Sequence, residues 1–173
     1  HTGLNVPLGP SFDFVPAVAS KRVIIWRPRD DQDGGILAFS KDGKNWDTGA
    51  NQEFRVKLKG KKDPVVWRSG KDVFSSRLTE FGTSDVEDPQ SAPAATIIYE
   101  YLCNIIGRSD LSPCVLGVSK TAVPNGKSFN TSLAMQVRNG KPIQCLGVKC
   151  FADSMSGGNN KWTVPNFQLI GFV

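Results

Sequence analysis

The stretch from Glu53 to Arg68, "EFRVKLKGKKDPVVWR", contains six basic side chains. In its first half apolar and charged residues alternate, so Phe54, Val56 and Leu58 share one face of a predicted strand and charged residues share the other. A solvated strand face is the ordinary interpretation. However, neighbouring charges of one sign repel unless an anion offsets them. We therefore predict that phosphate is bound by Arg55, Lys57, Lys59, Lys61, Lys62 and Arg68.

Aromatic residues lie beside basic ones elsewhere too, as in "WRPR" at 26–29, "KNW" at 44–46 and "KCF" at 149–151. Single-stranded nucleic acid is bound by this combination, because cations track the phosphates and aromatic rings stack on the bases. The ordinary alternative for each tryptophan is a place in the core. We predict stacking by Trp67, Trp46, Trp26, Phe151 and Trp162, with further basic contacts from Arg27, Arg29 and Lys149.

Known catalytic motifs are absent from the sequence: it has no GxxxxGK[ST] loop, no GxGxxG, no GxSxG and no HExxH. The one histidine is His1, which excludes a triad with an internal histidine and a His-rich metal site. Acidic clusters at 30–33 and 85–88 have the chemistry of Mg²⁺ ligands, but both fall in predicted loops, where acidic residues are usually solvated. We expect a protein that is not an enzyme and uses no cofactor or metal.

The four cysteines are Cys103, Cys114, Cys145 and Cys150. Zinc sites usually have two closely spaced pairs, and only the second pair comes near that spacing. In a regular strand, residues five apart point to opposite faces, so zinc at Cys145 and Cys150 would need a bulge or turn. Buried free thiols are the ordinary interpretation, and disulfides in a secreted domain are the third.

Length and patterning predict the architecture. With 173 residues and a net charge of +5, the chain suits one domain with a core and a preference for anionic partners. We predict an extended N-terminal arm at 1–20 and a single β-rich domain at 21–173. The fold class is mostly β, a closed barrel or a sandwich with one or two short helices. No run of eighteen apolar residues occurs, so no membrane span is predicted.

Individual elements follow from periodicity. Alternation and β-branched residues predict strands at 21–28, 35–40, 52–60, 64–68, 95–106, 113–119, 141–151 and 161–173, with a loop at 154–160. A helical stripe within 71–82 predicts the best helix. Alternation over 128–138 predicts another strand, and Asn139-Gly140 predicts a hairpin turn after it. Pro165 places the last strand at an edge or a bulge.

Several segments together resemble a family of replication-associated phage proteins, some of them described as single-stranded-DNA-binding. The similar segments are "NWDTGANQEFRVKL", "DPVVWR", "VFSSRLTEF", "IIYEYL", "SPCVLGVSKTAVPNGKSFNTSLAM" and "WTVPNFQLIGF", which cover most of residues 45–173. Phe172 stands where that family tends to have tryptophan. The resemblance implies an OB-like five-stranded barrel and sequence-tolerant binding of single-stranded DNA.

The sequence therefore predicts a single-stranded-DNA-binding protein of phage replication or recombination, acting in the host cytoplasm, with replication proteins as further partners. Two alternatives stay open. One is a structural or adhesive β-domain of a virion or a secreted module. The other is a phage partner-binding or inhibitor module whose basic strand docks on an acidic protein surface.

Overall fold

The computed structural model describes residues 8–26, 36–41, 53–56, 59–60, 62–63, 65–68 and 95–172. The strands are β1 Ser11–Trp26, β2 Ile36–Ser40, β3 Glu53–Val56, β4 Val65–Arg68, β5 Ala95–Ile105, β6 Cys114–Ser119, β7 Leu146–Gly157 and β8 Asn160–Phe172. One α-helix lies in this part of the chain, α1 Val123–Arg138, with 3-10 turns at Ser109–Leu111, Lys120–Ala122 and Ile143–Cys145. The predicted mostly-β fold class with a short helix is confirmed.

The larger sheet has six antiparallel strands. Its order is β6-β5-β1-β7-β8, and β2 pairs with β1 off this path. Within the described residues this sheet ends at β6 on one side and at β8 on the other, so it is open and not a closed barrel. β3 and β4 form a separate two-stranded antiparallel sheet.

Contacts divide the chain into two compact units. The first unit is His1–Ser20 with Tyr99–Val173, and the second is Lys21–Ile98. Residues 11–20, half of the predicted arm, form the first part of β1, which pairs with β7 from Ser11↔Phe151 to Phe14↔Val148. The division into an arm and a single domain stays a prediction.

An aromatic cluster lies at the centre of the first unit. The rings of Phe129 and Phe167 are stacked, with centroids 4.6 Å apart, and Tyr101 lies 4.9 Å from Phe129. Phe14 meets Phe129 edge-on at 6.1 Å. The Tyr101 hydroxyl donates to the carbonyl of Gly126 (3.0 Å), and burial, then the neighbouring Tyr99, raises its pKa. The cluster thus fastens α1 to the sheet.

The predicted strand over 128–138 is wrong, because these residues are the last eleven of the sixteen residues of α1. The buried positions of the helix are Gly126, Phe129 and Leu133, spaced three and four apart as a helical stripe requires. Of the alternating residues that suggested a strand, Phe129 and Leu133 are buried, whereas Thr131, Met135 and Val137 are exposed. Pro124 stands in the first turn, where a missing N–H costs no hydrogen bond.

The predicted hairpin at Asn139-Gly140 is also wrong, because the pair ends the helix. Gly140 has a φ of +76°, and its N–H donates to the carbonyl of Val137 (3.0 Å). The N–H of Lys141 donates to Gln136 (3.0 Å), which completes a Schellman motif. The left-handed glycine that favours a tight hairpin also favours a helix C-terminus.

β7 and β8 form a long hairpin that pairs from Leu146↔Phe172 to Gly157↔Asn160, with one register shift between Gly147 and Val148, where Ile170 of β8 is left without a partner. The two-residue turn between them contains Gly158, whose φ is +57°. Pro165 lies in β8, the last strand of the sheet, which confirms its predicted edge position. The expectation that 154–160 is a loop is corrected to strand, turn and strand.

The second unit is described in part. β1 contributes a run of three consecutive buried residues, Val23, Ile24 and Ile25. Its partner β2 places Ser40 opposite Val23 and Ala38 opposite Ile25, both buried. Burial on both faces of a strand explains why this segment reads as a continuous apolar run and not as an alternation. No helix among the described residues has the length and hydropathy needed to cross a membrane.

Candidate nucleic-acid interface

The predicted phosphate track lies on β3, β4 and their connection. Lys59 and Lys62 are exposed in the turn and bend between the two strands. Backbone register places Arg68 opposite Glu53 and Arg55 opposite Val66. Each basic residue of this hairpin's strands therefore has an acidic or apolar residue as its cross-strand partner.

Register also places Trp67, a predicted stacking residue in β4, opposite Phe54. Several other predicted contacts fall outside the described residues, namely Arg27, Arg29, Trp46, Lys57 and Lys61. The acidic clusters at 30–33 and 85–88 and the predicted helix within 71–82 lie outside them as well.

Trp26 is placed at the end of β1, where it is half-buried. Its indole N–H donates to the hydroxyl of Thr96 on β5 at 2.9 Å. The hydrogen bond fixes the orientation of the ring and leaves part of its surface exposed. The predicted stacking of a base on Trp26 would therefore use the part of the ring that remains accessible.

Trp162 packs on the turn end of the β7–β8 hairpin. A Cβ added at Gly157 would lie 2.9 Å from the Cη2 atom of Trp162, so the ring covers this glycine closely. The indole nitrogen is buried and has no partner among the described residues. Much of the Trp162 ring is thus engaged with its own hairpin.

Lys149 and Phe151 are brought together by β7. Residues two apart in a strand share one face, and both of these are half-buried. Register places Lys149 between Asp13 of β1 and Gln168 of β8, and Phe151 between Ser11 and Asn166. A cation and a ring on one face are a suitable pair for one nucleotide.

The sequence contains a feature that alternation and aromatic content did not reveal. Residues 111–152, a run of 42, contain no aspartate or glutamate. The cations in this acid-free segment are Lys120, Lys127, Arg138, Lys141 and Lys149. Counting both charge signs along the chain, in place of basic residues alone, would have found it.

Helical geometry aligns two of these cations. Lys127 and Arg138 are both exposed on α1 and eleven residues apart, which at 3.6 residues per turn places them within about 20° of each other around the axis. Exposed Thr131 and Ala134 lie between them. We call this set of four positions the basic helix row. It is about 16 Å long at 1.5 Å per residue.

The two cations of the row are not paired with carboxylates in the part of the chain that the structure describes. Two of the four acidic residues of the first unit have other partners: Asp110 accepts two hydrogen bonds from Arg108, at 2.9 and 2.8 Å, and Asp153 accepts one from Asn166 at 3.0 Å. The charge of the row is therefore available to an external anion.

Two further cations flank the helix. Lys120 precedes it, is exposed, and has a φ of +55°, a conformation that few residues other than glycine adopt. Lys141 follows it and places its Nζ 4.6 Å from the ring centroid of Phe172, which is itself exposed. Backbone conformations of the kind seen at Lys120 cluster at functional sites.

Groups of three or more metal-ligating side chains are absent from the described residues. All four cysteines are free thiols. Cys103 and Cys150 are buried in β5 and β7, while Cys114 and Cys145 are half-buried. The expectation of no cofactor and no enzymatic activity stays a prediction.

The model of the Pam3 phage gp34-like protein family matches residues 2–173. The chain belongs to this family. Membership confirms the phage origin that the sequence resemblance implied. No curated protein and no solved structure matches the chain.

Proposed function

We propose that this protein binds single-stranded DNA without sequence preference, in the host cytoplasm, during phage replication or recombination. The observation that supports this most is the basic helix row. Lys127 and Arg138 are exposed on one face of α1, within a 42-residue segment that contains no acidic residue.

Electrostatics favours a polyanion at this surface. A helix exposed to water usually mixes both charge signs, because pairs of opposite sign three or four residues apart stabilise it. In α1 the exposed cations have no such partners, so phosphate would supply the missing negative charge. Successive phosphates of one strand are about 3.4 Å apart along a duplex axis. The row is long enough to meet several of them.

The predicted hairpin cations, which lie in the second unit, are a separate and weaker phosphate contact in our proposal. Glu53 is the register partner of Arg68, and Asp63 lies exposed beside Lys62. Carboxylates at these positions repel phosphate and reduce the net attraction. The basic helix row is thus the principal phosphate contact, and the six hairpin cations are secondary.

Stacking is assigned to aromatic residues that keep accessible surface. Phe151 lies beside Lys149 on β7 and borders a shallow apolar depression with Phe12 and Pro165. Stacking on an aromatic side chain contributes about 1–3 kcal/mol per base and tolerates any sequence. A base on Phe151 and its phosphate on Lys149 would fit this description, with Trp26 as a further platform.

The test is a titration with fluorescent dT oligonucleotides at low and moderate salt, following anisotropy and tryptophan quenching. We expect binding that weakens linearly with the logarithm of salt concentration, by about 0.7 in the log–log slope per phosphate contacted. Mixed-sequence strands of equal length should bind with similar affinity. Absence of binding at low salt would overturn the proposal and leave the structural or partner-binding module as the working hypothesis.

A matched variant separates phosphate contact from general charge. Lys127→Gln with Arg138→Gln removes two contacts and should make the salt slope shallower by about 1.4. Arg108→Gln is the control, because Arg108 already pairs with Asp110. Equal slopes for both variants would show that the helix row does not contact phosphate.

A further inference from the structure

Two cysteines of neighbouring strands face each other in the first unit. The Sγ atoms of Cys103 on β5 and Cys114 on β6 are 3.6 Å apart. β5 and β6 are adjacent in the sheet. Cys103 is almost fully buried, whereas Cys114 is half-buried and reachable from solvent.

We propose that Cys103 and Cys114 are a thiol–disulfide exchange site, which closes to an intramolecular disulfide by reaction with a small-molecule disulfide such as oxidised glutathione. The sulfur atoms of a disulfide are about 2.05 Å apart, so closure needs an approach of about 1.5 Å. Residues facing each other on adjacent strands have the backbone separation that a disulfide tolerates.

The exposure of the two thiols sets the order of the steps. The thiolate of Cys114 attacks one sulfur of the small-molecule disulfide, forms a mixed disulfide and releases one small-molecule thiolate. The Cys103 thiol then gives its proton to a departing thiolate. Its sulfur attacks the Cys114 sulfur and displaces the second small-molecule thiol. The protein loses two hydrogen atoms, and the oxidant becomes two thiols.

Ionisation supports this order. Burial, followed by the hydrogen bond with Cys114, raises the pKa of Cys103 to about 12, so Cys103 is a thiol at neutral pH and a poor initial nucleophile. In the second step the reacting sulfur is already 3.6 Å away, and this proximity offsets the low thiolate fraction.

The other cysteines do not compete for this bond. Cys150 lies on β7, and β1 separates β7 from β5 in the sheet. Strands two positions apart are about 10 Å from each other, beyond the reach of a disulfide. Cys145 and Cys150 thus form the matched control pair for the experiment.

Trypsin cleavage makes the pairing directly readable. Cleavage after Arg77, Arg108, Lys120, Arg138, Lys149 and Lys161 leaves each of the four cysteines in a separate peptide. The intact protein is incubated in glutathione buffers of increasing oxidised fraction, then alkylated, digested and analysed by mass spectrometry. We expect one disulfide, which links the peptides of residues 78–108 and 109–120, and two alkylated thiols at Cys145 and Cys150.

Two controls keep the result decisive. Cys114→Ser should abolish the link, and Cys145→Ser should retain it. The urea-unfolded chain in the same buffers should give a mixture of pairings, which shows that the folded geometry selects Cys103 and Cys114. The proposal fails if the folded protein keeps four thiols in a buffer that oxidises the unfolded chain. It also fails if a different pair forms the bond.

Discussion

The β3–β4 hairpin and α1 are both basic, but they arrange charge in different ways. The segment 53–68 contains six cations, four of them spaced two apart in the sequence, and acidic residues lie among them: Glu53 opposite Arg68, and Asp63 beside Lys62. In α1 two cations, Lys127 and Arg138, align through the helical period with no acidic residue nearby in the sequence. The hairpin has more basic residues, and the helix has fewer but unopposed ones.

This difference teaches that the separation of charge signs decides the local potential more than the number of cations. A carboxylate beside a lysine cancels most of the lysine's electric field beyond a few ångströms, because the two charges are opposite. Salt then screens the remaining field over about 10 Å. α1 is fixed to the sheet by the Phe129–Phe167 stack and by the Tyr101 hydrogen bond to Gly126. A cation on a rigid element loses less entropy when it meets a phosphate.

The largest expected effect tests that rigid packing. Phe129→Ala removes the ring stacked on Phe167 and in contact with Tyr101, and we expect a loss of about 3–5 kcal/mol in the free energy of unfolding, measured by urea denaturation. Phe129→Leu keeps most of the volume and should lose clearly less. A loss below about 1 kcal/mol for the alanine variant would show that the cluster does not fasten the helix.

A second prediction concerns the close approach of α1 to β5. A Cβ at Gly126 would lie 2.9 Å from Cδ2 of Tyr99, so Gly126→Ala should destabilise the fold by about 1–3 kcal/mol. Helix propensity alone predicts the opposite sign, a gain of about 1 kcal/mol. Ser128→Ala on the exposed face is the control and should be nearly neutral. A more stable Gly126→Ala variant in thermal unfolding would contradict the packing described.

Alkaline pH should weaken the first unit, where the buried thiols lie. The pKa of Cys103 is raised from 9.0 to about 12, and that of Cys150 to about 11 by burial. Between pH 9 and these values the folded chain keeps protons that the unfolded chain loses, so stability falls as pH rises, by at most about 1.4 kcal/mol per pH unit for each group. Below pH 9 both states are protonated and this contribution is constant.

Urea unfolding at pH 8 and at pH 10.5 measures this dependence. Cys103→Ala should be less stable than the native protein at pH 8, because it leaves a cavity, but should lose less stability between the two pH values. An unchanged pH dependence in Cys103→Ala would show that this thiol ionises equally in both states.

The smallest expected effect separates strain from charge at Lys120, which has a φ of +55°. Asparagine tolerates this conformation better, so Lys120→Asn should raise stability by at most about 1 kcal/mol while weakening DNA binding. Lys120→Gln removes the same charge without relieving the backbone, and should weaken binding with no gain in stability. A gain in stability for both variants in thermal unfolding would show that the φ angle is not the cause.

The sequence was sufficient to predict those strands whose pattern of apolar residues fits a strand alone. Alternation and β-branched residues predicted β5, β6 and β8, and Pro165 correctly placed β8 at an edge. The segment 128–138 fits both periods, because Phe129, Thr131, Leu133, Met135 and Val137 alternate while Phe129 and Leu133 are also four apart. Only the packing of Gly126 and Phe129 against the aromatic cluster decides for the helix.

Because the secondary structure of 128–138 was ambiguous, the alignment of Lys127 and Arg138 could not be predicted either. Residues 127 and 138 are an odd number apart, so in a strand they point to opposite faces, whereas in α1 they lie on one face. Assigning a strand therefore disperses the two charges that the helix aligns. The candidate site could not be predicted from the sequence until the secondary structure of this one segment was known.

The most direct test of the account compares two double charge reversals. Lys127→Glu with Arg138→Glu changes α1, and Lys59→Glu with Lys62→Glu changes the hairpin turn, where both lysines are exposed. The two variants alter the net charge equally, so they differ only in position. Affinity for a dT oligonucleotide is measured by anisotropy at one salt concentration, after circular dichroism confirms folding.

We predict that the helix variant loses at least about tenfold in affinity, equivalent to about 1.4 kcal/mol, and that the hairpin variant loses clearly less. Equal losses would show that binding responds to net charge and not to the basic helix row. A larger loss in the hairpin variant would contradict the account and make the β3–β4 connection the principal phosphate contact.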